Sequence, residues 1–212
     1  MSSLQVEERS IDSYRTIAAP VQAKLTRKKS RFIALIYPVS SVEEVGTRLA
    51  EVKRSYHDAS HRCYAYRVRT KAGTITRADD AGEPAGSAGP PILQALEGAD
   101  LYDVLAVVVR YFGGVKLGIG GLIRAYGDAT REAIAQARVV ERVQQVRIRV
   151  VFPPELSSPV MGLIHRFGAR VEGISYDTRG QALVLLPRSA VSEFTAQLQE
   201  ATSGQVRITE TG

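Results

Sequence analysis

Hydrophobic and polar positions along the chain switch between two periods. Arg31–Tyr37 (RFIALIY) is a short, almost wholly apolar run, which predicts a strand. At Ser40-Ser41-Val-Glu-Glu44 the period becomes helical. Ser41 can cap, Glu44 stands three residues on, and Val42, Val45, Leu49 and Val52 share a face to about Tyr56. Arg62–Val68 (RCYAYRV) alternates as another strand. Asp79–Pro91 (DDAGEPAGSAGPP) is broken by glycine and proline and predicts an irregular segment, with a short helix over Ile92–Leu96. Val104–Val109, continuous and β-branched, predicts a buried strand. Gly113–Gly121, with five glycines in nine residues, then opens into a helix with Leu122, Tyr126, Ala129, Ala133 and Ala137 on one face.

A second unit begins near Gln144. Val146, Ile148, Val150 and Phe152 alternate with Arg147, Arg149 and Val151 as a half-buried strand. Ser158-Pro159 reads as a cap and first helical position, and Gly168 as that helix's end. Val171–Thr178 and Ala182–Leu186 read as strands around a turn at Arg179-Gly180. A helix follows from Ser189 to about Glu200, and a last strand over Val206–Thr209. The order β-α-β-β-α-β is that of a ferredoxin-like plait. The reading is therefore α+β, with a first domain over residues 1–140 and a second over 141–212.

Composition narrows the class. At 44% hydrophobic and 24% charged, the chain of 212 residues is neither disordered nor fibrous. No run approaches the roughly 18 apolar residues of a membrane span, and the N-terminal MSSLQVEERSIDSYR lacks the apolar stretch of a leader. One cysteine, Cys63, fits a reducing compartment. A soluble, cytoplasmic protein without a membrane partner is expected. The net charge of +6 is segregated: residues 21–77 hold 13 Lys/Arg against 4 Asp/Glu, whereas residues 78–104 hold 6 Asp/Glu and no base. Such a basic region attracts a polyanion such as RNA, or is a solvated face balanced in space by the acidic stretch.

The strongest local motif is Val107–Tyr126 (VVVRYFGGVKLGIGGLIRAY), a strand entering a glycine-rich loop that opens a helix. Backbone N–H groups there favour an anion, with Arg110, Lys116 and Arg124 adding charge. The same glycines also serve close strand–helix packing, and neither the P-loop nor the dinucleotide fingerprint is present. Asp79-Asp80-x-Gly-Glu83-Pro84 gathers carboxylates on one loop, for chemistry or simply for turn formation. His57 and His61 would share a face if helical, yet without the zincin glutamate or a third clustered histidine. Cys63 falls on the same strand face as His61 and reads first as a small buried residue. No metal and no cofactor is expected. Ser87 is not in a nucleophile elbow. The plait's third strand carries no aromatics for base stacking, although Arg147, Arg149 and Arg207 leave its open sheet able to dock a partner.

Asp80-Ala-Gly-Glu-Pro-Ala-Gly-Ser-Ala-Gly89, the run Val107–Tyr126, and His61 ahead of a short strand together resemble the IMPACT family. The likeness is greatest to its bacterial YigZ-type members with a second domain, and covers essentially residues 15–210. It implies a ribosomal-protein-like α/β fold for the first domain, similar to domain four of elongation factor G, and a second domain similar to domain five. Those parallels imply a role at RNA or the ribosome. Eukaryotic relatives act on a translation kinase with an additional RWD domain that is not expected here, so that role is not carried over. The resemblance implies no catalytic residue. His61, Asp80, Glu83, Pro84, Arg110, Tyr111, Gly113, Gly114, Gly120, Gly121 and Tyr126 occupy family motif positions, and Ser87 stands where relatives often have Thr.

The expectation is thus a non-enzymatic, translation-associated regulatory protein whose first domain binds RNA or the ribosome. Lys28, Lys29, Arg31, His61, Arg62, Arg67, Arg110, Gly113, Gly114, Lys116, Gly120, Gly121 and Arg124 are the candidate contacts, beside the motif loop of Asp80, Glu83, Pro84, Tyr111 and Tyr126. One rival is an enzyme acting on a phosphorylated or nucleotide substrate at His61, Asp80, Glu83 and the glycine loop. Another is a protein-docking module using the plait.

Overall fold

The computed structural model describes residues 12–211, so the N-terminal stretch read for a leader falls mostly outside the described residues. Two compact units divide the chain: Tyr14–Arg142, and residues 12–13 together with 143–211.

In the first unit β1 (Ser13–Ile17), β2 (Val21–Arg27) and β3 (Ser30–Pro38) precede α1 (Val42–Ser55). β4 (His61–Thr70) and β5 (Gly73–Asp79) follow, then α2 (Gly89–Gly98), β6 (Val104–Tyr111), α3 (Ile119–Gln136) and β7 (Val139–Val143). Five strands form one antiparallel sheet in the order β2-β3-β6-β4-β5, and β1 pairs with β7. Both sheet faces are covered. Phe32, Ala34, Cys63, Ala65, Ala106 and Val108 pack under α2 and α3, while Ile33, Leu35, Tyr66, Val68, Leu105, Val107 and Val109 pack under α1. Burial on both faces explains why β3 and β6 read as continuous apolar runs although their pairing is antiparallel.

α1 starts as its sequence prescribes, since Ser41 Oγ accepts the Glu44 N–H at 3.2 Å. The glutamate's return bond goes one residue upstream, to the Ser40 N–H and hydroxyl. α2 is longer than the predicted Ile92–Leu96, because Gly89-Pro90-Pro91 forms its first turn instead of ending the loop. Gly120 and Gly121 likewise lie in the first turn of α3 instead of the loop.

β2 and β5 went unpredicted, being the polar, largely exposed edges of the sheet, and β1 and β7 are short strands of mixed burial. The β2–β3 hairpin turns on Lys28 and Lys29, both left-handed at φ 44° and 66°. Such a two-residue turn ordinarily calls for Asn and Gly, so two lysines there hold backbone strain.

The second unit contains β8 (Gln145–Phe152), α4 (Ser157–Arg166), β9 (Arg170–Tyr176), β10 (Gly180–Pro187), α5 (Val191–Ala201) and β11 (Arg207–Glu210). Its antiparallel sheet has the order β11-β8-β10-β9, so the βαββαβ plait is present. α4 begins one residue before the predicted Ser158 cap, and Gly180 opens β10 instead of closing a turn. Val146, Ile148, Val150 and Phe152 join Val184, Leu186, Val160, Ile164, Phe194 and Leu198 in its core. No helix among the described residues is long and apolar enough to cross a membrane.

Gly113 follows β6 and approaches the β2–β3 turn so closely that a Cβ there would lie 2.1 Å from the Lys29 carbonyl carbon. Gly113→Ala must move that turn, and is expected to destabilise the chain by about 1–3 kcal/mol, read by urea unfolding.

Candidate functional site

The motif positions of the first unit converge on a buried ion pair. Arg110, near the end of β6, donates from Nη1 to Glu83 Oε1 at 2.6 Å, with both side chains almost wholly buried. Tyr126 of α3 donates its hydroxyl to the same carboxylate oxygen at 2.7 Å. Cys63 of β4 lies beneath, its sulfur 2.9 Å from the Asp80 carbonyl and 3.3 Å from the Tyr126 hydroxyl. Burial pushes the Cys63 thiol up to about 12 and also raises Tyr126, so both stay protonated near neutral pH. His61 Nδ1 is 3.0 Å from the Ala81 carbonyl, which requires the proton on Nδ1 and leaves Nε2 facing Glu83 Oε2 at 4.0 Å.

Asp80 builds the loop that carries Glu83. Its carboxylate accepts the N–H groups of Gly86, Ala88 and Gly89, each at 2.8 Å, and so caps α2, whose N-cap residue Ala88 has no side chain for the task. Burial raises the Asp80 carboxyl, but the three backbone bonds outweigh it and hold the group below its usual range.

This arrangement favours positioning over chemistry. Cys63 is protonated and enclosed, and the Ser87 hydroxyl donates to the Pro84 carbonyl at 2.6 Å in a fully buried position. Neither side chain is therefore free to act as a nucleophile beside the His61–Glu83 approach. His57 lies beyond the end of α1 while His61 opens β4, so the two do not share a helical face. Among the described residues no group of three or more His, Cys, Asp or Glu could hold a metal ion.

The candidate basic residues fall into two sets. Arg62 donates from Nε and Nη2 to the carbonyls of Tyr56, His57 and Ala59, closing the chain behind α1. Arg67 bonds the Leu101 carbonyl and lies over Tyr102, with its centre 4.0 Å from the ring. With Arg110, these side chains hold the fold. Lys28, Lys29, Arg31, Lys116 and Arg124 are instead exposed. Lys28 and Arg124 line one cleft of about 210 Å³ with Gly121 and with Arg27, which pairs with Asp128 at 3.8 Å. Arg27 escaped the sequence reading because β2 did. Arg31 lies over Tyr111, whose hydroxyl donates to Asp58 at 2.8 Å.

A larger groove of about 350 Å³ opens beside the ion pair. Glu83, Pro84, Arg110, Phe112, Lys116, Gly118, Ile119 and Leu122 line it, and Leu117 lines both cavities. Gly114 and Gly118, at φ 84° and 74°, turn the loop around it. Phe112 and Ile119, 50% and 59% exposed, were not singled out by sequence, since an apolar residue inside a motif ordinarily belongs to the core.

Asp80→Asn should cost about 1–3 kcal/mol at neutral pH, as an amide cannot accept all three bonds. A carboxyl lowered by folding contributes fully above its unfolded value near 3.9 and loses that contribution as pH falls through its folded value. Denaturant unfolding should therefore show the wild-type advantage shrink below about pH 4.

Known proteins agree with the motif. The Impact N-terminal domain matches residues 28–134. IMPACT family member YigZ of Escherichia coli is 30% identical over 200 residues, 93% of this chain and 98% of its own length. IMPACT family member YvyE of Bacillus subtilis is 42% identical over 132 residues, 62% of this chain and 60% of its own. A crystal structure of a hypothetical protein, 30% identical, superimposes with a TM-score of 0.68 over 96% of this chain and 99% of that one. With the Asp80–Gly89 loop, the glycine-rich run and the plait all accounted for, the chain belongs to the IMPACT family, as a bacterial member of the YigZ type.

Proposed function

We propose that this protein is a cytoplasmic, translation-associated regulatory protein that binds RNA or the ribosome through the first unit. The observation that carries the reading is the disposition of charge. Asp79, Asp80 and Asp103 turn their carboxylates to backbone N–H groups, and Glu83 is held by Arg110, so the acidic stretch is largely engaged within the fold. Lys28, Lys29, Lys116 and Arg124 remain exposed, and the Lys28-Lys29 turn keeps two charges where Asn-Gly would relax the backbone. Strain held at such a turn suits a functional demand on the side chains.

The proposal includes kinship of residues 14–142 with the ribosomal-protein-like domain four of elongation factor G, and of the plait with domain five. Phosphate contacts of this kind position a strand without reading its sequence. The enzymatic rival is weaker, because the carboxylates that would partner His61 are engaged, Asp80 by three backbone N–H groups and Glu83 by Arg110 and Tyr126. On the plait, Arg147 pairs with Glu172 at 2.6 Å, which leaves Arg149 and Arg207 to any partner docking there.

Co-sedimentation with ribosomes and single-stranded RNA across a salt series tests the reading. Binding should fall steeply with salt, and reversing Lys28, Lys29 and Arg31 to Glu should weaken it and flatten the log–log slope by about 2. Lys28→Asn with Lys29→Gly should raise stability by roughly 1–2 kcal/mol while still lowering affinity, separating charge from folding. A chain that stays in the supernatant at low salt contradicts the proposal.

A further inference from the structure

The groove beside the ion pair differs in kind from the basic cleft. Pro84, Leu117 and Leu122 give it apolar lining beside the buried Glu83 and Arg110. Phe112 stands at the rim, half exposed, with its backbone N–H bonded to Ser60 Oγ at 3.1 Å. The Arg110 guanidinium lies 5.5 Å from the centre of that ring. Such an aromatic face offers a platform for another planar ring.

Two independent features mark the groove as a place where an acceptor is wanted. Arg110 is 5% exposed, and its Nε–H finds no acceptor although its other nitrogens bond Glu83 and Ser30. Buried donors are seldom left in this state. The N-terminus of α3 also opens here, with no side-chain cap and no acidic residue in its first turn, and with Lys116 just ahead of it. α2 shows the alternative, its own N-terminus being closed by Asp80.

We infer that this groove receives a nucleotide unit, its base laid against Phe112 and its phosphate at Lys116 and the start of α3. The volume of about 350 Å³ is at the small end of the range for small-molecule sites, which suits one nucleotide and not a longer segment. Leu117 joins the groove to the cleft of Lys28 and Arg124, so a strand tracked by phosphate contacts on one side can place a single base on the other. The inference rests on the RNA reading only for the source of the nucleotide.

Adenosine 5′-monophosphate and ribose 5-phosphate are titrated into the full chain by calorimetry, and a fluorescein-labelled oligoadenylate RNA by anisotropy. The nucleotide should bind at least about fivefold more tightly than the sugar phosphate, and Phe112→Ala should weaken it by a similar factor. Lys116→Glu should weaken both small ligands. For the RNA, Phe112→Ala should lower affinity with the salt slope unchanged, because no charge is removed. Phe112 is half exposed, so its variant should fold, as the thermal melt will check. Equal binding of the two small ligands, or a nucleotide affinity indifferent to Phe112, overturns the groove. RNA binding that survives Phe112→Ala and is lost on reversing Lys28, Lys29 and Arg31 also overturns it, while the proposed function stands. Nucleotide binding that needs Phe112, in a chain that ignores RNA, upholds the groove for a free nucleotide and removes the RNA reading.

Discussion

The first unit depends on one buried interaction, the Arg110–Glu83 pair. Taking two opposite charges out of water is costly, and only close geometry with further bonds offsets it. Here the contact is 2.6 Å, Tyr126 donates to the same oxygen, and Arg110 Nη2 lies 3.4 Å from Ser30 Oγ. Removing either partner strands the other charge, so the pair ties its neighbours together. Those neighbours are β6, the loop before α2, the middle of α3 and the start of β3. Ser30 Oγ also accepts the Gly113 N–H at 3.2 Å, which draws the glycine loop onto the Lys28-Lys29 turn.

That geometry separates the charges by role. Three arginines of β4 and β6 are drawn inward, Arg62 to carbonyls behind α1, Arg67 to the Leu101 carbonyl and Arg110 to Glu83, whereas Arg27, Arg31 and Arg77 on the same sheet stay exposed. Of the six acids in the 78–104 stretch, Asp79, Asp80 and Asp103 accept backbone N–H groups and Glu83 pairs with Arg110. Lysines and arginines on turns and helix ends have fewer such partners and stay in solvent. Part of the basic count of the sequence is thus structural, and Arg27, Lys28 and Arg124 meet at one cleft. His61 lies between the Ala81 carbonyl and the Glu83 carboxylate.

Much of the fold was legible because local rules and tertiary demands agree. Ser41 caps α1 as its spacing to Glu44 requires, and alternation in Val146–Phe152 matches the one-sided core of the plait. β2 and β5 were not legible, since VQAKLTR and GTITRAD lie at sheet edges and bury too little to impose a period. The hairpin between β2 and β3 gave no turn signal, because lysines occupy positions where Asn or Gly would announce it. Glycines misled in the opposite sense at Gly89, Gly120 and Gly121, where close packing or a helix start, not a loop, uses them.

By itself the sequence determined the two-unit order and the plait, because these follow from spacing and periodicity along the chain, while the family and its motif positions came from the resemblance of the Asp80–Gly89 and Val107–Tyr126 runs to known members. Which arginines hold the fold and which face water was decided only by tertiary structure. So was the pairing of Glu83 with Arg110, 27 positions apart, and the opening of an aromatic-rimmed groove beside it. Charge and spacing are properties of the chain, but a buried partner, an unsatisfied N–H and a cavity exist only once distant segments have been brought within bonding distance.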